Sequence, residues 1–199
     1  MTLISEGAEA RIYREDGIIR KVRIAKAYRH PRLDERLRIS RTRAEARILE
    51  RLSSLPSIPR LLTSEADTLC IEAINAPPIG IMHPDTIRQH AAQLANMLRE
   101  IHTRNIAHGD VTPHNVLYDK GTYWLIDFGL AIRTQRIEDF AYDIAMTAQT
   151  FVESEGFSDA LRTAYLALLD DKERTVFSER IRAIHTRGRH KTKGLLAHA

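Results

Sequence analysis

Two short polar motifs on either side of a predicted β-hairpin constrain the fold of this chain more than any other feature. In the first motif, Asp110 lies five residues before Asn115, and the second motif, Asp127-Phe128-Gly129, begins twelve residues after Asn115. Residues 116–118 and 123–126 have the composition of paired strands and are joined by a turn sequence that contains glycine. Antiparallel pairing would bring Asn115 and Asp127 to the same rim of this hairpin.

These residue types suit the transfer of a phosphoryl group. The reaction needs little covalent help from the protein; it depends on magnesium held against the phosphates and on a carboxylate near the attacking oxygen. Asp110 can accept the proton of the acceptor, and the oxygens of Asn115 and Asp127 are ligands that magnesium, or manganese, prefers. Each motif alone is also typical of an ordinary turn. Their combination, order and spacing favour a catalytic site.

The rest of the sequence predicts a single α+β domain, because strands come first and mainly helices follow. The break at residues 76–78 divides it into an N-lobe at 1–75 and a C-lobe at 76–186, with a basic tail at 187–199. We expect strands at residues 2–4, 10–14, 18–24, 60–62, 69–74, 116–118 and 123–126, and helices at residues 33–52, 85–102 and 138–185.

Composition and charge restrict the class of protein. No apolar run is long enough to span a bilayer and no secretory leader is recognisable, so we expect a cytoplasmic protein without membrane association. The single cysteine, Cys70, excludes an internal disulfide and a clustered-cysteine zinc site, and is expected to be buried. Residues 180–199 hold six basic and no acidic side chains, and residues 1–52 are also basic. Such ends suit a polyanionic partner, although solvated helix faces would give the same pattern.

The two motifs resemble the catalytic loop and the metal-binding Asp-Phe-Gly of eukaryotic-type protein kinases. The resemblance implies a lysine on the third strand that contacts the α and β phosphates of ATP and pairs with a helix glutamate. Lys21 lies on the third predicted strand, and the apolar spacing of the first helix places Glu45 on its inward side, where an unpaired acid would be costly. We therefore predict a Lys21–Glu45 pair as part of the catalytic site. Arg20 or Arg23 could take the place of Lys21, and a boundary acid would need no partner.

The resemblance also implies an ATP site. The loop that covers the phosphates is abbreviated to residues 5–10 with one glycine, Gly7, near which backbone amides could cradle phosphate. The backbone from Glu72 to Ile74 would form hydrogen bonds with the adenine edge. The residues predicted to sandwich the adenine ring, each of which could instead be plain core, are Ile4, Ala10, Ile19, Leu117 and Ile126.

Several departures from ordinary protein kinases narrow the resemblance. Gly109 stands where an arginine ordinarily binds a phosphorylated activation loop, and Thr112 stands where serine/threonine kinases have a lysine. No full activation segment fits between Gly129 and the predicted helix near Glu138. With these features, the chain is similar to the small atypical serine/threonine kinases of the KEOPS complex. The most specific element of this resemblance is the insertion Tyr28-Arg29-His30-Pro31, which generic kinases lack.

This closer resemblance implies an enzyme controlled by partners. In that family the kinase binds the threonylcarbamoyl-transferase subunit and a small accessory subunit, and the assembly forms threonylcarbamoyladenosine on tRNA. The kinase phosphorylates serine or threonine and acts largely as an ATPase within the complex. The resemblance further implies tRNA contacts through the N-lobe and the basic tail, although a solvated tail is an equal alternative. Two departures from the family pattern are Phe140, where a lysine is expected, and the tail sequence after residue 189.

Two other functions fit parts of the sequence. The segment His108-Gly109-Asp110 also suits small-molecule kinases of the aminoglycoside or choline phosphotransferase type, but only about seventy residues follow Asp127, too few for their larger helical lobe. The other alternative is a non-catalytic ATP-binding scaffold. The presence of Asp110, Asn115 and Asp127 together argues against a scaffold.

Overall fold

The computed structural model describes residues 1–151 and 154–195, without the side chains of Asp85 and of residues 185–195. The chain forms two compact units. The sheet unit comprises Met1–Pro77 and Leu117–Ala131, and the helical unit comprises Pro78–Val116 and Ile132–Ala199. This division into strands and helices agrees with the predicted α+β class.

The elements of the described residues follow one another in a simple order along the chain. The strands are β1 (Thr2–Glu6), β2 (Ala10–Glu15), β3 (Ile18–Arg23), β4 (Leu61–Glu65), β5 (Thr68–Glu72), β6 (Ile106–Ala107), β7 (Val116–Asp119), β8 (Thr122–Leu125) and β9 (Ile132–Arg133). The helices are α1 (Pro31–Arg51), α2 (Pro84–Ile87), α3 (Ala91–His102), α4 (Ile137–Thr150), α5 (Phe157–Ala167) and α6 (Asp171–Leu195).

A five-stranded antiparallel sheet in the order β1-β2-β3-β5-β4 forms the body of the sheet unit. Asp16 and Gly17 have φ values of 42° and 80°, as a two-residue turn between β2 and β3 requires. Lys21 lies opposite Ile12 on β2 and Leu69 on β5, so it occupies the middle strand. The expected strands are present, but β5 ends at Glu72 rather than at residue 74, because the chain leaves the ladder before the prolines at 77 and 78.

Helix α1 covers one face of β4 and β5. Pro31 fits the start of the helix, where its missing N–H would have no helical partner. Ile48 and Leu49 are buried on its inner face, as the apolar spacing predicts, and Ala46 is buried beside them. Cys70 is also buried, as expected.

The predicted hairpin is formed by β7 and β8. Lys120 and Gly121 in its turn both have positive φ values, 46° and 88°. The strands carry buried Leu117 and Leu125. Trp124, the only tryptophan of the chain, is half-buried on β8.

The helical unit buries the apolar residues that recur at three- and four-residue steps in the segment predicted as a helix at 85–102. They are Ile87, Ala91, Leu94, Leu98 and Ile101, and all are buried. Helix α3 packs on α5, and α4 packs on α5 and α6. Among the described residues, no helix is long and apolar enough to cross a membrane.

The helical unit also corrects two predictions. The single helix expected at 85–102 is wrong: α2 ends at Ile87, and a 3₁₀ turn, Arg88–His90, precedes α3. Apolar spacing does not separate the two geometries, because a 3₁₀ turn also keeps residues three apart on one face. The helical stretch at 138–185 is interrupted, in part at Gly156, whose φ of 73° suits glycine.

Two features of the helical unit lie beyond the predictions. Strands β6 and β9 pair through Ile106–Arg133 and Ala107–Ile132, and two-residue strands leave no periodic signal in a sequence. Helix α6 continues to Leu195, past residue 187 where the predicted tail begins. The side chains of Arg187, Arg189, Lys191 and Lys193, and residues 196–199, lie outside the described residues.

Candidate active site

In the sheet unit, the middle strand presents Lys21 to helix α1. Lys21 Nζ lies 2.8 Å from Glu45 Oε1, and the two side chains are 12% and 4% exposed. A buried carboxylate is stable only with a charged or hydrogen-bonding partner. The structure therefore brings together the two residues that the sequence analysis paired.

A second cation from the same strand contacts Glu45. Arg23 lies two residues after Lys21 and so on the same face of β3. Its Nη2 is 2.7 Å from Glu45 Oε2, and its side chain is buried. The Nε of Arg23 has no hydrogen-bond partner among the described residues. Arg23 therefore adds to Lys21 rather than replacing it, and each oxygen of Glu45 binds one cation.

Lys21 also binds Asp127 of the Asp-Phe-Gly motif. Lys21 Nζ is 2.7 Å from Asp127 Oδ1, and the aspartate side chain is 47% exposed. Asp127 has a φ of 62°, a left-handed backbone that is uncommon outside glycine. Lys21 therefore bridges one buried and one half-exposed carboxylate.

At Gly129 it is this ion cluster, rather than the backbone angles of the residue, that leaves little room for a side chain. Its N–H donates to Asp127 Oδ1 over 3.1 Å. A Cβ at this position would lie 3.1 Å from Asp127 Oδ1 and 3.2 Å from Lys21 Nζ, closer than ordinary contacts. The glycine thus leaves room for the lysine and the aspartate to meet.

The abbreviated loop at residues 5–10 is held by long side chains. Lys26 Nζ donates to the carbonyl of Ala8, and Arg41 Nη1 lies 2.6 Å from Glu9 Oε2. The N–H of Gly7 donates to Ala10 O over 3.0 Å. Since that amide is engaged inside the loop, phosphate binding would fall to the neighbouring amides.

The predicted adenine-binding residues of the sheet unit differ in exposure. Ala10 and Leu117 are buried, whereas Ile19 and Ile126 are half-buried. Ile4 on the edge strand β1 is 52% exposed, so the alternative of a core position is wrong for it.

The backbone at 72–74 is already partly used within the sheet unit. The N–H of Glu72 donates to Arg60 O over 2.9 Å, and the N–H of Ala73 donates to Gly17 O over 2.8 Å. The Glu72 amide is therefore not a donor for adenine, which leaves its carbonyl and the backbone of Ile74 as candidates.

In the helical unit, Asp110 and Asn115 hold each other across the loop between β6 and β7. Asn115 Nδ2 donates to the Asp110 carbonyl over 2.9 Å and to Asp110 Oδ2 over 3.2 Å. Gly109 has a φ of 80°, which explains a glycine just before the aspartate. The Asn115 amide orients the Asp110 carboxylate and turns its own oxygen away from it.

Helix α4 anchors this loop through one buried carboxylate. Asp143 accepts the N–H of His108 at Oδ2 over 2.6 Å and the N–H of Gly109 at Oδ1 over 2.7 Å. His102 Nε2 is 3.1 Å from Asp143 Oδ2, and His102 Nδ1 is 2.6 Å from the hydroxyl of Tyr165. Because a carboxylate only accepts, Nε2 is the donor, and Nδ1 then accepts the tyrosine proton.

The surroundings keep Asp143 charged and His102 neutral. Burial lowers the pKa of His102, although its hydrogen bond to Asp143 acts in the opposite direction. Burial alone would raise the pKa of Asp143, but the hydrogen bonds from His102, Gly109 and His108 outweigh it and lower that pKa. Burial also raises the pKa of the Tyr165 hydroxyl. The network therefore fixes the loop with a single buried negative charge.

Asp143, His102 and Tyr165 have no role in the site predicted from the sequence. A signal was available for Asp143, which lies on the apolar face of α4 beside Ile144 and Ala145, all three buried. A buried acid needs a partner there, as it does for Glu45. Its partners are backbone amides, however, which carry no mark in a sequence.

Each candidate metal ligand, taken by itself, is of a type that binds a cation together with phosphates. The described residues contain no cluster of three or more histidine, cysteine, aspartate or glutamate side chains that could hold a metal ion. Magnesium, however, commonly takes one or two protein oxygens together with substrate phosphates and water. The half-exposed Asp127 carboxylate and the amide oxygen of Asn115 are donors of that type.

Comparison with known families and structures agrees with this fold. Residues 11–159 match the model of the protein kinase domain. The Rio2 kinase of Chaetomium thermophilum, in its ADP/Mg²⁺-phosphoaspartate complex, has a similar fold, with a TM-score of 0.60 over 96% of this chain and 72% of that one. The two sequences are 14% identical, so this likeness concerns the fold alone.

Curated relatives share more of the sequence. The probable bifunctional tRNA threonylcarbamoyladenosine biosynthesis protein of Methanospirillum hungatei is 35% identical over 81% of this chain. This chain spans about a third of the length of such bifunctional relatives, 31% of that protein and 34% of the one from Haloquadratum walsbyi.

Two other relatives match this chain over most of their own length. The probable serine/threonine-protein kinase Bud32 homologue of Archaeoglobus fulgidus is 31% identical over 92% of this chain and 94% of that protein. The EKC/KEOPS complex subunit bud32 of Dictyostelium discoideum is 30% identical over 96% of this chain and 83% of that subunit. The chain therefore belongs to the protein kinase family and, within it, to the Bud32 homologues.

Proposed function

We propose that this protein is an ATP-dependent serine/threonine phosphotransferase and ATPase of the KEOPS complex, which supports the formation of threonylcarbamoyladenosine on tRNA. Membership of the Bud32 homologues supports the class of reaction and the assembly. The names of the bifunctional relatives support the link to this tRNA modification. Which acceptor takes the phosphoryl group is decided by the residues around the site.

The single observation that carries the proposal is the position of Lys21 between Glu45 and Asp127. The lysine is mostly buried, and it bridges carboxylates 2.8 Å and 2.7 Å away. A fold can be stabilised more cheaply by apolar side chains than by buried charges, so such a cluster indicates a chemical role. A fixed cation beside a half-exposed carboxylate is suited to a nucleotide polyphosphate and its metal ion.

Each residue of the site then has a distinct task. Lys21 binds the α and β phosphates, and Glu45 holds the lysine in place with the help of Arg23. Asp127 and Asn115 each offer an oxygen to magnesium, which neutralises phosphate charge when it is bound. Asp110 accepts a proton from the attacking hydroxyl or water, and the Asn115 amide orients its carboxylate.

The residues beside Asp110 favour water as a frequent acceptor. Thr112 replaces the lysine that would contact the transferring phosphate in serine/threonine kinases. Only seven residues separate Gly129 from the start of α4, so there is no long segment to form a peptide-binding groove. Hydrolysis and transfer to protein hydroxyls would share the same catalytic groups.

The proposed partners follow from the relatives. In the bifunctional relatives, about two thirds of the chain lies outside the part that this protein matches. We assign that remainder the role of the threonylcarbamoyl-transferase subunit. For this protein, that role would belong to a separate subunit or to another part of the same polypeptide. A small accessory subunit and tRNA, bound through the N-lobe and the basic tail, complete the proposed assembly.

The test is ATP turnover by the wild type, Asp127→Ala and Asp159→Ala, measured alone, with the transferase partner, and with tRNA added. Asp159 is an exposed aspartate on α5 and serves as the control. We expect Asp127→Ala to lose about 100-fold or more of the turnover, because metal neutralisation of phosphate is worth several kcal/mol. Asp159→Ala should match the wild type.

Two outcomes would overturn the proposal. Equal turnover by the wild type and Asp127→Ala, with partner and tRNA present, would leave a nucleotide-binding scaffold. Transfer of labelled phosphate to an aminoglycoside or choline, but never to protein or water, would identify a small-molecule kinase instead.

A further inference from the structure

The outer face of helix α1 carries a row of arginines, here called the arginine stripe. Its members are exposed and follow one another at intervals of four or seven residues. They are Arg32, Arg36, Arg43, Arg47 and Arg51.

Helical geometry places the five side chains in one line. At about 100° per residue, these positions fall within an arc of roughly 100° on the helix surface. At about 1.5 Å per residue, the stripe is roughly 28 Å long. Glu45 lies on the opposite side of the same helix, so the stripe is distinct from the ion cluster of the active site.

The arginines of α1 fall into two groups by their contacts. Arg38 and Arg41, which lie away from the stripe, form ion pairs with Asp34 and Asp67 and with Glu9. Arg36 and Arg43, by contrast, have no ion pair or hydrogen-bond partner among the described residues, and the same holds for Arg32 and Arg47. The fold therefore uses the first group, whereas it has no evident use for Arg32, Arg36, Arg43 and Arg47 of the stripe.

The composition of the stripe favours a nucleic acid backbone over a protein partner. Within its arc the other side chains are Leu33, Ser40 and Glu50. Protein interfaces depend on buried apolar or aromatic anchors at their centre, and Leu33 lies at one end. A row of guanidinium groups with a serine hydroxyl is suited to successive phosphates, since arginine binds phosphate through paired hydrogen bonds.

We propose that the arginine stripe of α1 is an RNA-binding surface that contacts the phosphate backbone of tRNA. This inference rests on the proposed function for the identity of the RNA, since the names of the bifunctional relatives concern a tRNA modification. It narrows the expected tRNA contact of the N-lobe to one face of one helix. Binding here requires neither ATP nor the catalytic residues.

The test measures binding of a tRNA transcript to the full chain, without ATP, over a range of salt concentrations. The variant Arg43→Gln/Arg47→Gln should bind about tenfold or more weakly, and the slope of log K against log salt should fall by about 1.5 to 2. Arg43→Lys/Arg47→Lys keeps the charges and should largely restore the slope.

The control removes the same net charge elsewhere. Lys120→Gln/Lys172→Gln changes two exposed lysines outside α1 and should leave binding close to the wild type. Unchanged melting temperatures would show that each variant is folded. ATP turnover without RNA should be the same in Arg43→Gln/Arg47→Gln as in the wild type. The RNA-binding test can therefore fail while the Asp127→Ala test of the proposed function succeeds, or the reverse.

Two results would overturn the inference. One is an unchanged tRNA affinity and salt slope in Arg43→Gln/Arg47→Gln. The other is that Arg43→Gln/Arg47→Gln loses binding to a polyglutamate probe of matched charge but retains tRNA binding. That result would assign the stripe to an acidic protein partner.

Discussion

At the scale of single residues, Glu45 joins helix α1 to the middle strand of the sheet. Its two oxygens bind different cations, Lys21 at 2.8 Å and Arg23 at 2.7 Å. Both cations come from β3, so one carboxylate fixes the helix to the middle strand at two points. The lysine ammonium has three hydrogens, so its bond to Glu45 leaves others for Asp127.

Replacing Glu45 by glutamine should destabilise the protein by about 3 kcal/mol, because two buried cations would lose their common counter-ion. The exposed Glu50 on the same helix is the matched control, and Glu50→Gln should change stability by no more than about 0.5 kcal/mol. Urea denaturation of the two variants and the wild type measures the difference. Similar small losses in both variants would mean that Glu45 carries no net ion-pair energy.

The sequence made part of this cluster predictable. The inward position of Glu45 on α1 indicates a cation as its partner, and the kinase resemblance predicts Lys21 for this role, with Arg20 or Arg23 as substitutes. That Lys21 and Arg23 both contact Glu45 depends on the alternation of side chains along β3 and on its alignment with α1. The contact between Lys21 and Asp127 joins residues 106 positions apart, and no local pattern encodes it.

At the scale of elements, helix α4 and helix α3 together hold the loop that carries Asp110. Asp143 on α4 binds two successive amides of the loop, and His102 at the end of α3 binds Asp143. Tyr165 on α5 completes the chain of contacts. The position of the proposed base is therefore set by three helices rather than by the loop itself.

This arrangement makes stability depend on pH through His102. Its pKa in the folded protein is lowered chiefly by burial, so below about pH 6.5 the unfolded chain binds a proton that the folded protein excludes. The stabilising contribution is therefore complete above pH 6.5 and is lost as the pH falls below it. The pKa of Asp143 is also lowered, so its contribution to stability is likewise lost as the pH falls. For a carboxyl group this loss begins only at about pH 4.

Thermal unfolding between pH 7 and pH 5 measures this effect. We expect the melting temperature of His102→Gln to fall less over this range than that of the wild type, even if it starts lower. His114→Gln, a change at an exposed histidine of the same unit, should follow the wild-type curve. His90 is also buried with a lowered pKa, so some decline should remain in every variant. Parallel curves for His102→Gln and the wild type would contradict the assignment.

The elements themselves were predicted well where their apolar pattern is long. Helix α1, the strands of the large sheet and the hairpin of β7 and β8 follow from periodicity and turn residues, whereas the strand order of that sheet does not. The break before α3 leaves no mark in the apolar pattern, because Ile87, Ala91 and Leu94 are buried on both sides of the 3₁₀ turn at 88–90. Strands β6 and β9 exist only because they pair with each other, over two residues each.

At the scale of the whole molecule, the predicted catalytic residues are divided between the two units. Lys21, Glu45 and Asp127 belong to the sheet unit, and Asp110 and Asn115 belong to the helical unit. Each group is organised by contacts inside its own unit. Motif spacing predicts Asp110, Asn115 and Asp127, and the kinase resemblance together with the apolar spacing of α1 predicts Lys21 and Glu45. The supporting residues became visible only in the folded units.

The basic end of the chain should add to RNA binding at this scale. Deletion of the residues after Gly188 removes three basic side chains, so tRNA affinity should fall and its salt dependence should flatten by about 2 to 3 units of slope. Titration of a tRNA transcript at several salt concentrations measures both quantities. An unchanged slope would assign these residues to solvation.

Trp124 gives the sheet unit an optical property of its own. It is the only tryptophan in the chain, so the emission of the protein excited near 295 nm comes from a single position on β8, three residues before Asp127. Its half-buried indole is sensitive to the polarity around this hairpin. Events at the end of β8 can therefore be followed in the unlabelled protein, without a fluorescent nucleotide and without altering a residue.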